Sequence, residues 1–226
     1  MVRGIIFDFD GVISQSITAK TNAFKKIYEC YGNEIVKKVV KHHESNGGVS
    51  RFEKFSYYHK SFLNKNISEE EISFLSNKFS NLVIDRVINS PYVPGALEYI
   101  EKSFDNYQLF ISTGTPQEEI KKIIKEKKIQ NYFKEVYGSP ANKISHINII
   151  MKKYNLSSNE LRFFGDSNTD FEAARHFNID FTLILNNHNK RFQSNYKGKI
   201  INNFKELLNW KNQKAEILLL PAAREA

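Results

Sequence analysis

Short apolar runs, each ending in turn residues, alternate with amphipathic stretches along this chain. Gly4–Phe7 ends at Asp8, and 109–111 ends at Ser112-Thr113-Gly114. Val136-Tyr137 ends at Gly138-Ser139-Pro140, 161–164 ends at Gly165-Asp166, and 181–185 is a fifth run. Runs this short, without polar alternation, predict strands buried on both faces, as in a parallel sheet. Residues 117–126 and 143–154 carry helical periodicity between the later runs. The alternation predicts an α/β fold with a doubly wound, Rossmann-like parallel sheet.

One long interval breaks the alternation. Residues 16–90 hold no buried strand pattern and read as helices over 19–31, 34–43, 52–63 and 69–89. Ser68 and Glu71 have the spacing of a capping box at the last of these. Pro91 and Pro94-Gly95 close the interval. The pattern therefore predicts a core over 1–15 and 91–214, with a helical cap domain inserted over 16–90. Residues 215–226 hold four alanines against six in the preceding 214 residues. They read as an appended extension, or else as a genuine terminal helix, and are left out of the fold.

Composition narrows the class. At 226 residues, 41% hydrophobic and 26% charged, the chain is long enough for a core plus an insertion and too apolar for a disordered polymer. No stretch is apolar enough to span a membrane, and Asp8 breaks the N-terminal apolar run too early for a signal peptide. A cytoplasmic protein, monomeric by default, is expected. The single cysteine, Cys30, excludes an intramolecular disulfide and reads as an idle thiol. A net charge of +8 favours an anionic partner: nucleic acid, an acidic membrane or a phosphorylated small molecule. The lysines within 121–128 fit either nucleic-acid binding or a solvated helix face. Trp210 and the other aromatics read as packing.

In open parallel sheets, ligands bind beyond the carboxyl ends of the strands. The residues to inspect there are Asp8, Asp10, Thr113, Gly114 and Asp166, with Lys143 nearby. In Asp8-Phe9-Asp10-Gly11 the two carboxylates point the same way from an extended segment, suiting a nucleophile and an acid/base group. Read alone, it is equally a solvated turn or a calcium-type loop. Thr113-Gly114-Thr115 offers a hydroxyl and a backbone N–H to phosphate at a helix N-terminus, or is simply a cap. Lys143 is a point charge for phosphate, or a surface lysine. Asp166 and Asp170 suit a hard cation, or cap a helix. In the cap, Arg51 and Lys54 follow a Gly47-Gly48 turn and are candidates to contact an anionic substrate, or else begin an ordinary helix. Lys20 is a third candidate. His42 and His43 read as helix surface, without metal-ligand spacing.

Taken together, FDFDGV, ISTGTP, GSPANK and GDSNTD in this order resemble the motifs of the haloacid dehalogenase superfamily. The likeness is to its phosphoglycolate-phosphatase and β-phosphoglucomutase-like branch, covers about residues 3–186 and includes the helical cap. The resemblance implies a phosphatase acting on a small phosphorylated metabolite such as a sugar phosphate or phosphoglycolate. It implies Asp8 as nucleophile, Asp10 as acid/base, and Thr113, Gly114 and Lys143 as phosphate contacts. Mg²⁺ would be held by Asp8, Asp10 through its carbonyl, and Asp166, with Asp170 supporting the site. Ser112 is an alternative to Thr113. Halide-displacing members lack an aspartate at position 10, so Asp10 favours phosphate chemistry. GVSR resembles the mutase cap loop, whose arginine contacts a distal phosphate. Gln15 replaces an aspartate common in relatives, which weakens the carry-over of any particular substrate; Lys20 stands where mutases typically carry histidine, which favours hydrolase over phosphomutase. A decayed enzyme acting as nucleic-acid-binding or scaffold protein is the reading from another class; complete motifs argue against it, and nucleic acid is not expected as a partner.

Overall fold

The computed structural model describes residues 1–208, so Trp210 and the extension over 215–226 lie outside the described residues. Six strands form one parallel sheet: β1 (Gly4–Phe7), β2 (Gln108–Pro116), β3 (Glu135–Ser139), β4 (Leu161–Gly165), β5 (Asp180–Ile184) and β6 (Lys199–Ile201). Their order is β3-β2-β1-β4-β5-β6, the doubly wound arrangement with β1 in the middle. β1 earns that position chemically, because GIIF has no polar side chain and all four residues are buried. Alternation along the strands feeds two apolar layers. Ile5, Phe7, Ile111 and Phe164 face one, and Ile6, Phe110, Phe163 and Leu183 face the other. Phe7 pairs in register with Ile111 and Phe164, so the residues just beyond it emerge together at one sheet edge.

Four helices follow β1: α1 (Ile17–Tyr28), α2 (Asn33–Ser45), α3 (Arg51–Phe62) and α4 (Glu69–Ile88). They bury an aromatic cluster that includes Phe24, Tyr28, Phe55, Tyr58 and Phe79. The rings of Phe24 and Phe79 lie 4.6 Å apart. The capping box starts α4 as the spacing predicts, with Glu71 N–H donating to Ser68 Oγ at 3.2 Å and Ser68 N–H to Glu71 Oε2 at 2.8 Å. The fold is thus an α/β sheet with an inserted helical cap. No described helix is long and apolar enough to cross a membrane.

The remaining helices are α5 (Ala96–Phe104), α6 (Gln117–Glu126), α7 (Lys143–Tyr154), α8 (Asn168–His176) and the short α9 (Lys190–Gln193). In α6, Ile120, Ile123 and Ile124 are buried while Lys121, Lys122 and Lys125 are exposed, so this basic stretch is a solvated helix face. Two features depart from the sequence reading. β2 runs through Thr113-Gly114-Thr115 to Pro116, with a register shift against β3 after Ser112, so that motif ends a strand and does not start a helix. β6 went unread because three residues, with Lys199 exposed, carry no periodic signal.

Candidate active site

Asp8 follows the last residue of β1, its N–H donating to the Phe164 carbonyl at 2.9 Å. Its side chain is buried, with Oδ1 accepting from Phe9 N–H at 2.7 Å. The chain then turns back at Gly11, whose φ of +82° suits glycine. A Cβ there would also collide with the Asp166 carboxylate and reach Ile17 Cδ1 at 2.7 Å. The turn delivers Asp10 to a cavity of about 630 Å³ between the sheet edge and the cap. Asp8, Asp10, Lys20, Thr113, Gly114 and Asp166 all line it. Asp10 accepts from Ser16 Oγ at 2.5 Å, from Thr115 Oγ1 at 3.1 Å and from Lys20. Burial by itself would raise Asp10, but the Lys20 charge and these hydrogen bonds outweigh it and hold the carboxyl below its ordinary value.

Asp166 follows β4, and Asp170 sits in the first turn of α8. Asp8, Asp166 and Asp170 each bring a carboxylate oxygen within 4.8 Å of the others. Lys143, the first residue of α7, ion-pairs with Asp170 and lies 3.1 Å from Asp8 Oδ2. The other Asp170 oxygen accepts from Ser167 Oγ at 2.6 Å and from the N–H groups of Ser167 and Asp166 at 3.1 and 3.2 Å. Asp170 is therefore occupied as a brace. Asp166 Oδ2 accepts from Asn186 at 2.7 Å, and Asn189 holds the Asp166 carbonyl at 2.9 Å.

Electrostatics gives this cluster an appetite for positive charge. Burial, with Asp170 and Asp10 nearby, raises Asp8 to about 7 despite the opposing Lys143. Burial and the Asp8 and Asp170 charges push Asp166 well above the carboxylate range. Lys143 is buried, yet Asp170 and Asp8 outweigh that cost and raise it. Clustered carboxylates that resist ionising together suit a hard divalent cation with oxygen ligands. Below pH of about 7 a cation must displace the Asp8 proton; above it, that site is already ionised. Affinity for a divalent cation is therefore expected to rise with pH, since the Asp166 carboxyl is held up as well, and binding is expected to release protons. Calorimetry in buffers of different ionisation enthalpy measures this, and a pH-independent affinity without proton release contradicts it.

Thr113 is buried at the cavity, and its Oγ1 accepts from Thr115 N–H at 3.2 Å. The Ser112 hydroxyl instead meets His146 Nδ1 at 2.9 Å. The cap loop closes directly on this edge. A Cβ on Gly114 would lie 2.5 Å from the Gly48 carbonyl oxygen, and Thr169 Oγ1 donates to the Gly47 carbonyl at 2.9 Å.

The three cap candidates have different surroundings. Lys20 donates to Asp10 and, at 2.7 Å, to Thr115 Oγ1. Lys54 contacts His43 Nδ1 at 2.9 Å. Arg51 lines the cavity, but its two terminal nitrogens grip Glu119 of α6 at 2.6 and 2.9 Å. Ser80 of α4 joins them, and the guanidinium lies 4.3 Å from the Phe79 ring centroid. Both partners are nearly fully buried. Arg51 is thus committed to a cap–core ion pair and is not a free anion contact. His43 is also not helix surface: it is buried and lines the cavity. Glu119, Ser16, Asn186 and Asn189 carry no reading in the sequence, Thr115 enters only within the Thr113-Gly114-Thr115 motif, and His43 reads as helix surface. A usable signal existed for two of them: Glu119 falls on the Ile120/Ile123 side of α6, and His43 lies one turn beyond buried Val39.

A family model described as haloacid dehalogenase-like hydrolase matches residues 5–184. Among solved structures, β-phosphoglucomutase from Clostridium difficile is similar at 19% identity and a TM-score of 0.75, covering 97% of this chain and 100% of that one. A protein from Haemophilus somnus described as a predicted phosphoglycolate phosphatase gives 18% identity and a TM-score of 0.73, over 93% of this chain and 98% of that one. The HAD-hydrolase YfnB from Bacillus subtilis, bound to magnesium, gives 16% and 0.68, over 93% and 99%. At such identities these likenesses speak for the fold. No curated protein matches the chain in sequence.

Proposed function

Since the chain belongs to the haloacid dehalogenase-like hydrolases, matched over residues 5–184, we propose that it is a Mg²⁺-dependent phosphatase of a small phosphorylated metabolite that works through an aspartyl-phosphate. The observation that carries this reading is the meeting of Asp8, Asp10 and Asp166 at one cavity, with Lys143 paired to Asp8. Asp8 is the nucleophile: its carboxylate oxygen bonds to phosphorus while the bond to the leaving oxygen breaks. Asp10 gives that oxygen a proton, then takes one from the water that attacks phosphorus and releases Asp8. Thr113, the Gly114 N–H and Lys143 hold the phosphoryl oxygens, the positioning and charge work that dominates this chemistry. Asp8, Asp166 and the Asp10 carbonyl would hold Mg²⁺, which supplies charge neutralisation between a carboxylate and a phosphate dianion. Asp170 supports Lys143 and the turn at Asp166.

Lys20 gives Asp10 a bias. The pair favours ionised Asp10, the form that activates water. The leaving-group proton must first reach Asp10; a phosphomonoester, with a second pKa of about 6, brings one as its monoanion. Lys20→Met removes the charge that holds Asp10 down, so its carboxyl rises. The acidic limb of the kcat–pH profile is expected to move to higher pH, and an unmoved limb contradicts this role.

The reading is tested by releasing phosphate from a panel of sugar phosphates, phosphoglycolate and nucleotides with Mg²⁺. Phosphate release from at least one small metabolite, dependent on Mg²⁺, is expected. Conversion of a sugar 1-phosphate to its isomer without phosphate release would instead identify a phosphomutase. Binding of RNA or DNA that falls with salt, without hydrolysis, would point to the non-catalytic reading.

A further inference from the structure

Ser112 and His146 are a polar pair set into an apolar layer. Ser112 stands two residues after Phe110 on β2, so it faces the layer that α7 fills with Ile147 and Ile150. Both side chains are buried, at 0% and 1% exposure, and neither lines the cavity. Ser112 Oγ meets His146 Nδ1 at 2.9 Å, the one side-chain hydrogen bond between β2 and α7 among the described residues. Nε2 of the same ring is buried without a partner. An orphaned ring nitrogen in an apolar layer is costly, and an apolar side chain at 146 would avoid that cost. Packing therefore does not account for this histidine. What its hydrogen bond joins is two parts of the site. β2 carries Thr113 and Gly114 directly after Ser112. α7 begins with Lys143, one turn before His146, and the Lys143 ammonium pairs with Asp170 and lies 3.1 Å from Asp8 Oδ2. The loop between β3 and α7 is stitched to the same strand end, with Ser139 Oγ donating to the Gly114 carbonyl at 3.0 Å. Tyr137 stacks on the His146 ring, the centroids 5.5 Å apart.

We propose that Ser112 and His146 are positioning residues: their hydrogen bond fixes the first turn of α7 against the end of β2, and so sets where the Lys143 ammonium stands relative to Thr113 and Gly114. The inference rests on the phosphatase reading for what those three residues hold. His146 suits the task because it stays uncharged. Burial and the Lys143 charge lower its ring to about 4, so no second cation is added beside Lys143. Since neither residue lines the cavity, loosening the pair removes no contact with bound substrate. It lets Lys143 drift from the place that the transferring phosphoryl group needs, and misplacement of that kind is felt in turnover.

The test compares wild type with Ser112→Ala, His146→Leu and His146→Asn, using p-nitrophenyl phosphate and Mg²⁺. Leucine fills the space of the ring without Nδ1, and asparagine keeps a side-chain polar group near the Nδ1 position. Ser112→Ala and His146→Leu are each expected to lower kcat by about tenfold or more with KM changed by less than about twofold, and His146→Asn to recover most of that loss. The second measurement is binding, by calorimetry with Mg²⁺, of orthovanadate, which takes up the five-coordinate geometry of the transferring group, and of inorganic phosphate, which does not. Vanadate affinity is expected to fall in step with kcat while phosphate affinity holds. A wild-type kcat in both Ser112→Ala and His146→Leu overturns the proposal, and so does an equal loss of vanadate and phosphate affinity. Should His146→Leu fail to fold, Ser112→Ala, which removes a single oxygen, still decides. A wild type inert toward p-nitrophenyl phosphate removes the phosphatase reading, and vanadate against phosphate binding in the same variants then judges the positioning without turnover.

Discussion

Asp8→Asn is expected to cut Mg²⁺-dependent hydrolysis of p-nitrophenyl phosphate by roughly 10⁴-fold or more while the protein stays folded. An amide oxygen is a poor nucleophile, so the covalent step has no substitute. The fold has no reason to fail. Asparagine keeps the volume and the acceptor for Phe9 N–H, and Lys143 keeps Asp170. Stability should even gain at neutral pH without a cation. The Asp8 carboxyl is raised from 3.8 to about 7 in the folded chain, so the stability it contributes is complete below pH 3.8 and is lost as pH rises towards 7. The asparagine variant escapes that loss. Thermal unfolding of both proteins at pH 5 and pH 8 measures it; a variant that loses more stability than wild type on going to pH 8 contradicts the electrostatic picture.

The second large effect is on folding. Arg51→Met is expected to destabilise the protein by about 3–5 kcal/mol, because it leaves the Glu119 carboxylate buried without its partner. The lost interaction is bidentate, shares Ser80, and crosses from α3 to α6. Arg51→Met with Glu119→Leu should recover most of the loss, since the two apolar side chains face the Phe79 ring and the buried isoleucines of α6. Denaturant titration of the two single variants and the double variant gives the coupling energy. Unchanged stability in Arg51→Met, accompanied by a raised KM, would return Arg51 to the substrate.

What the sequence makes legible follows from locality. Asp8, Asp10 and Asp166 each sit within three residues of an apolar run, and strand order alone brings those ends to one edge. The capping box at Ser68 is likewise written within four residues. The contacts that stay hidden are set by how the cap lies on the core. Arg51 and Glu119 are 68 positions apart, and no local pattern announces their pairing. His43 shares a helix with exposed polar residues, and its burial follows from its place one turn beyond Val39 against Phe24. The end of β2 misleads for a different reason. Ser-Thr-Gly-Thr is turn-like in composition, yet pairing with β3 keeps it extended to Pro116.

The central claim is that Asp8 carries the phosphoryl group. Its most direct test uses Asp10→Asn, which lacks the base that activates water, with acetyl phosphate, whose leaving group needs no acid. After acid quench and digestion at acidic pH, mass spectrometry is expected to find a phosphorylated peptide that contains Asp8, with the group on Asp8 and removable by hydroxylamine. Phosphate release without any such adduct, or an adduct on another residue, would contradict the account.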